Sequence, residues 1–239
     1  PGHVRLLTTL ANSLSVALEN ARLFDETQRL YKQSEQRAAE LAIITSVQSA
    51  LASQLEMQGI YDAVGDKIRE IFGQADMGIR IHDPKTGLIH YPYIYERGER
   101  LVLASHPLPE AGFASHVLKT RETLVINENM DDERRKYGSS VVPGSSGTKS
   151  AVFVPLVVGH EARGLINLVD LEREHAFSPS DVRLLETLAT SMSVALENAR
   201  LFDETQRRTR EAAALAEVGR DVSSTLDLAK VLDRIAGHA

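Results

Sequence analysis

Tyr91, Tyr93 and Tyr95 stand at every second position of one apolar stretch. On an extended strand such residues share a face. Their rings and phenolic tips suit either a planar ligand or cross-strand packing. Arg80 lies between Ile79 and Ile81, and an arginine in an apolar strand needs solvent, a carboxylate or an anionic ligand. Asn167 is the lone amide of the run Gly164-Leu165-Ile166-Asn167-Leu168, where a backbone hydrogen bond would satisfy it. The eight histidines show no His-x-Glu or His-x-x-x-His spacing of metal ligands. His82 and His90 flank one turn, and a haem held by one histidine, His106 or His116, stays an alternative. No metal is assigned and the cofactor is left open. Val142 to Gly147 is rich in glycine and serine, but lacks the Lys-Ser/Thr and helix of a phosphate-binding loop. No carboxylate pair or nucleophile–base set stands out, so the chain is read as non-enzymatic.

Composition narrows the classes further. There is no cysteine, which removes disulfides, thiolate metal sites, a cysteine nucleophile and a thioether-linked chromophore. The formal charge of −6 argues against nucleic acid or an anionic membrane surface as a general partner. The longest apolar run, Ala151 to Val158, is too short for a bilayer and contains Pro155. With no signal peptide after Pro1, the expected location is cytoplasmic, and the expected object is a fragment of a longer chain.

The elements that must position these residues read as follows. Val4 to about Leu55 is helical, with Leu7, Leu10, Leu14, Ala17, Ala21 and Phe24 in a coiled-coil stripe. Ile60 to Phe72 is an amphipathic helix with Ile60, Val64, Ile68 and Ile71 on one face. The period then changes. Strands are predicted at 77–81, 88–95, 101–105, 124–126, 150–158 and 162–171, with a helix at 112–120 and a long polar loop at 127–149 that has room for one helical turn. Ser178 caps a final helix, with Pro179 at its first position and Asp181 in its first turn. Its stripe is Leu185, Leu188, Met192, Ala195, Ala199 and Phe202. The fold class is α+β, an antiparallel sheet of about five to six strands with helices on one face and long coiled-coil-type terminal helices.

One segment occurs twice. Residues 1–29 and 179–207 are identical at 24 of 29 positions, at an offset of 178. A weaker echo pairs Ile44, Val47, Leu51, Leu55 and Met57 with Leu215, Val218, Val222, Leu226 and Leu228 at an offset of 171. The two offsets differ by seven, one heptad, which keeps the helical face. A period this long fits an array of whole domains rather than a solenoid.

Several segments in this order resemble the GAF domain family of small-molecule sensing modules. Ala151-Val152-Phe153-Val154-Pro155-Leu156 is similar to its penultimate strand, and Gly164-Leu165-Ile166-Asn167-Leu168 to the next. Phe177-Ser178-Pro179-Ser180-Asp181 resembles the start of its last helix. Gly112-Phe113 and Leu118 to Asn127 resemble its middle helix–strand segment. The resemblance implies a ligand pocket on one sheet face, so Phe113, His116 and Tyr137 join Arg80, Tyr91, Tyr93, Tyr95 and Asn167 as pocket candidates. It implies a parallel homodimer through the two stripes, and a covalently linked output domain such as a histidine kinase or nucleotide cyclase. Residues 1–40 then read as the last helix of a preceding unit with its linker, 41–203 as a complete unit, and 204–239 as a linker and the first helix of a following unit. The source is read as a bacterial signalling protein.

The same resemblance sets limits. The cyclic-nucleotide branch has Asn-Lys…Phe…Asp-Glu where Asp170, Leu171, Phe177, Asp181 and Val182 stand here, so only Phe177 and Asp181 fit. Bilin attachment and the methionine sulfoxide reductase branch need cysteine. Ser115-His116-Val117-Leu118-Lys119-Thr120 is superficially similar to a kinase phosphoacceptor segment, but Val117 and Arg121 replace its usual polar residue and proline. The sequence therefore reads as a non-catalytic sensing and dimerising module for an unidentified small molecule. The alternative is a structural dimerisation spacer without ligand.

Overall fold

A computed structural model describes residues 2–52, 54, 56–73, 75–139 and 147–236, with side chains between Leu10 and Arg220 except at 11, 13 and 52. Two compact units divide the chain, residues 1–49 and 50–239.

The described residues of the first unit form one helix. Helix α1 (Gly2–Ala52) continues into the second unit by three residues and is about 77 Å long at 1.5 Å per residue. No break occurs at the polar stretch 30–40. Leu10, Leu14 and Phe24 are about 60% exposed, and Ala17 and Ala21 are exposed with them. The side chain of Leu7 lies outside the described residues. Ion pairs one turn apart line the surface, Glu19–Arg22 at 2.8 Å and Arg22–Glu26 at 3.7 Å. Each such exposed pair contributes only a few tenths of a kcal/mol in general.

The second unit is built on an antiparallel sheet. Its strands are β1 (Asp76–Asp83), β2 (Leu88–Glu96), β3 (Glu99–Arg100), β4 (His106–Pro107), β5 (Leu124–Ile126), β6 (Ser150–Val158) and β7 (Glu161–Asp170). The order is β3-β2-β1-β7-β6-β5, six strands on one path, with two-residue β4 paired to β2. Helices α2 (Met57–Ile71), α3 (Phe113–Thr120), α4 (Met130–Tyr137) and α5 (Pro179–Ala236) complete the unit.

Alternation along β6 and β7 separates two layers. Ala151, Phe153 and Leu165 join Phe113 and Val117 of α3 and Met130 of α4 in one apolar cluster. Val152, Val154, Leu156, Ile166 and Leu168 point the other way and are buried too. There α5 packs on β6 and on α2. Helix α2 buries Ile60, Tyr61, Val64, Gly65 and Ile68, the face its 3.6-residue period sets out.

The start of α5 is held from two sides. Ser178 and Asp181 cap reciprocally: the Asp181 carboxylate accepts from the Ser178 N–H at 2.8 Å, and Ser178 Oγ accepts from the Asp181 N–H at 3.2 Å. Asn127 donates to the Phe177 carbonyl at 2.8 Å and accepts from its N–H at 3.3 Å. Leu185, Leu188 and Met192 are then no more than 1% exposed within the single chain. This corrects their assignment to the dimer stripe: they are core positions, because the sheet and α2 already cover them. Ala199 is buried, Ala195 half-buried, and Phe202 exposed.

Two further readings change. The strand predicted at 101–105 does not form. The chain pairs with β2 through β3, leaves the edge after Leu101, and pairs again at β4. The long loop 127–149 contains α4, whose sequence carries three acids in its first turn and three bases in its last. That order complements the helix dipole, and it sets up the pairs Asp131–Arg134, Asp132–Arg135 and Glu133–Lys136. The loop segment 140–146 lies outside the described residues.

Candidate functional site

A cavity of about 510 Å³ lies between the sheet face opposite α5 and the pair α3 and α4. That volume is in the ordinary range for a small-molecule site. Its floor comes from β1, β2, β6 and β7, and Leu101 and Leu103 close one side. Phe113 meets Phe153 at 5.3 Å between ring centroids, so the wall is rigid and apolar.

Arg80, Tyr91, Tyr95, Phe113 and Asn167 border this cavity, and Tyr93, His116 and Tyr137 do not. His116 and Tyr137 lie outside the lining, their rings 4.7 Å apart in an edge contact. Tyr137 also packs against Phe113 at 5.7 Å, so it supports the wall from outside.

The three tyrosines do not share a face, which corrects their reading as one row. Ile79 pairs with Tyr93, whereas Ile81 pairs with His90. One residue of β1, Arg80, therefore faces two of β2, a bulge at Tyr91–Pro92. Pro92 has no N–H for the ladder, so it is tolerated there. Beyond the bulge the alternation inverts. Tyr93 turns to α2, fully buried, and its hydroxyl donates to Asp66 at 2.7 Å. The Tyr95 ring lies under the Arg69 guanidinium at 3.7 Å. Only Tyr91 presents its ring to the cavity side, 5.8 Å from Arg80.

The polar groups of the site are few. His106 Nδ1 lies 2.8 Å from the Pro107 carbonyl, and its Nε2 lies 2.6 Å from Tyr91 Oη. A carbonyl only accepts, so Nδ1 carries the proton and Tyr91 donates to Nε2. Burial pushes the Tyr91 phenol up, and Arg80 pulls it partly back. Arg80 itself is half-buried, and burial pulls its guanidinium below the usual range, with Tyr91 opposing. Ser115 donates to the Pro109 carbonyl at 2.5 Å, so it is spent on the loop. The expected backbone bond of Asn167 is not made. Its Oδ1 is buried without a partner, because it points at Gly78 of the neighbouring strand.

Met130, Arg134 and Phe153 also line the cavity and escaped sequence reading. The inward alternation of β6 and the amphipathic charge order of α4 were signals for all three. No cluster of three or more His, Asp or Glu able to hold a metal occurs among the described residues. His82 pairs with Ile89 while His90 pairs with Ile81, so the two histidines face opposite ways.

Sheet order, flanking helices and a cavity over β1, β2, β6 and β7 define a GAF-type module. The GAF domain family model matches residues 54–197, and the chain belongs to that family. It is 24% identical over 168 residues to the formate hydrogenlyase transcriptional activator FhlA of Escherichia coli K12, covering 69% of this chain and 24% of that protein. The chain thus spans about a quarter of the curated relatives it matches. Among solved structures, a free methionine-R-sulfoxide reductase from Neisseria meningitidis with its substrate superposes with a TM-score of 0.57 at 18% identity, over 70% of this chain and 93% of that one. The GAF domain of an Acinetobacter phosphoenolpyruvate-protein phosphotransferase gives 0.55 at 16% identity, over 68% and 95%. These likenesses establish the fold. No helix among the described residues is long and apolar enough to cross a membrane.

Proposed function

We propose that this GAF domain is a non-catalytic regulatory sensor that passes the state of its cavity to an attached output domain through α5. One observation carries the reading. Strand β6, which helps to floor the cavity, also bears α5 on its other face. Phe153 and Asn167 look into the cavity, while Val154, Ile166 and Leu168 lie buried on the opposite side. A ligand that shifts β6 acts directly on the bed of α5. That helix then runs without interruption to Ala236.

The repeat supports a tandem arrangement. Leu188 and Met192 are fully buried, whereas their counterparts Leu10 and Leu14 are about 60% exposed. We therefore assign residues 1–29 to the place in a preceding unit that α5 occupies here. In the same way, Leu215 and Val218 are 73% and 60% exposed and belong to a following unit. The exposed part of each stripe, Ala17, Ala21, Phe24 and Phe202, is the surface left for a parallel homodimer.

Native mass spectrometry of the purified chain tests this reading. The expected spectrum is a dimer that retains a small organic molecule and releases it on mild activation. A dimer with no retained mass, and no shift on adding small metabolites, would favour the spacer. A monomer would remove the dimer seam.

A further inference from the structure

We infer that the cavity takes an organic monocarboxylate with an apolar body, its carboxylate on Arg80 and a second polar group on Asn167. The inference rests on the sensor reading and names the chemical class of the ligand. Arg80 lies on the cavity face of β1 and makes no ion pair with any carboxylate among the described residues. A guanidinium offers five donors in a planar fork that fits a carboxylate edge-on. Leaving it unpaired in a partly buried site is costly, and an anion in the cavity removes that cost.

Asn167 is the second, independent observation. It is 7% exposed, and its Oδ1 is buried with no hydrogen-bond partner. Native folds rarely leave such an atom without a reason. Its neighbour across the ladder is Gly78, where a Cβ would come within 2.9 Å of that oxygen. Glycine at this position leaves the amide in place, where a side chain would push it aside.

Register places both groups within reach of one small molecule. Gly78 pairs with Asn167, and Arg80 pairs with Leu165, two residues away on the same face. Such diagonal neighbours are about 7–8 Å apart. Around them the wall is apolar: Ile94, Phe113, Met130 and Phe153. One uncompensated cation matches one negative charge. Arg134, the other cavity arginine, is paired with Asp131 at 3.6 Å. Asp76 and Glu96 border the same cavity and disfavour a dianion such as phosphate.

Calorimetric titration of the full chain with benzoate, benzamide and inorganic phosphate tests the assignment. Benzoate should bind about tenfold or more tightly than benzamide, since the neutral analogue forfeits the charge-assisted pair. Phosphate should be weaker than benzoate. Arg80→Gln should bring benzoate to the level of benzamide, whereas Arg80→Lys should keep part of the preference. Asn167→Asp should weaken benzoate and leave benzamide little changed. Circular dichroism checks that the variants fold, and the wild-type preference needs no variant. Equal binding of benzoate and benzamide overturns the carboxylate assignment and leaves the sensor reading standing, as does phosphate matching benzoate. Silence from every probe, neutral and charged, overturns the inference and counts against the sensor reading with it.

Discussion

Gly65 shows how little room the helix face of the sheet has. A Cβ there would lie 2.4 Å from the Tyr93 ring. In an open helix, Gly→Ala is favourable by about 1 kcal/mol. Here Tyr93 is fully buried and tied to Asp66, so the ring has nowhere to go. Overpacking of this kind costs about 1–3 kcal/mol. The clash wins, and Gly65→Ala should lower the urea midpoint. An unchanged or raised midpoint would show that the ring yields. Tyr61 gives a second expectation. Burial raises its phenol to about 12 from an ordinary 10. The unfolded chain releases this proton first, so the native state binds more protons between pH 10 and 12. Stability is therefore full below pH 10 and falls as pH rises through that window, by on the order of 2 kcal/mol. Tyr61→Phe should flatten that slope in urea titrations at pH 8, 10 and 11. A slope unaltered by the substitution would assign it elsewhere, first to Tyr93, whose phenol burial also raises.

At the scale of elements, local signals were legible where one residue decides the outcome. Ser178, Pro179 and Asp181 announced the start of α5, and the cap forms as read. Gly159 marked the β6–β7 hairpin and takes a positive φ of 62°. Two features depended on a partner that sequence does not display. The bulge at Tyr91–Pro92 is visible only against β1, although Pro92 was a warning. The segment 101–105 has strand-like residues, yet the edge it would extend is taken by β3 and β4. Arg80 was legible as an arginine that needs solvent, a carboxylate or an anionic ligand, but its lack of an ion-pair partner among the described residues was not. The uninterrupted α1 carries a prediction of its own. If signal passes along a phased helix, removing seven residues between Arg29 and Leu41 preserves the face. Removing two turns it by about 200°. With a reporter output domain fused after α5, the first deletion should keep regulation and the second should invert or abolish it. Equal outcomes would exclude phase as the carrier.

At the scale of the whole molecule, the antiparallel α+β class and the terminal helices followed from periodicity, and the family from motifs in order. The repeat could be counted in sequence, but the different fate of its copies could not. Near-identical stripes are core in one setting and surface in another, because burial belongs to the neighbour and not to the residue. That duplication has a kinetic side. Synthesis delivers residues 1–29 before any strand of this sheet exists, and residues 179–207 only after the sheet is complete. The sheet thus meets an early near-copy of the helix it needs. What favours the later one is its tether. Only residues 171–178 separate β7 from α5, so its ends meet at a small entropic cost, while the first copy must close a loop of most of a domain. Asn127 then latches the arriving Phe177 from both sides. The short connection after β7 keeps the later copy beside the sheet that it covers.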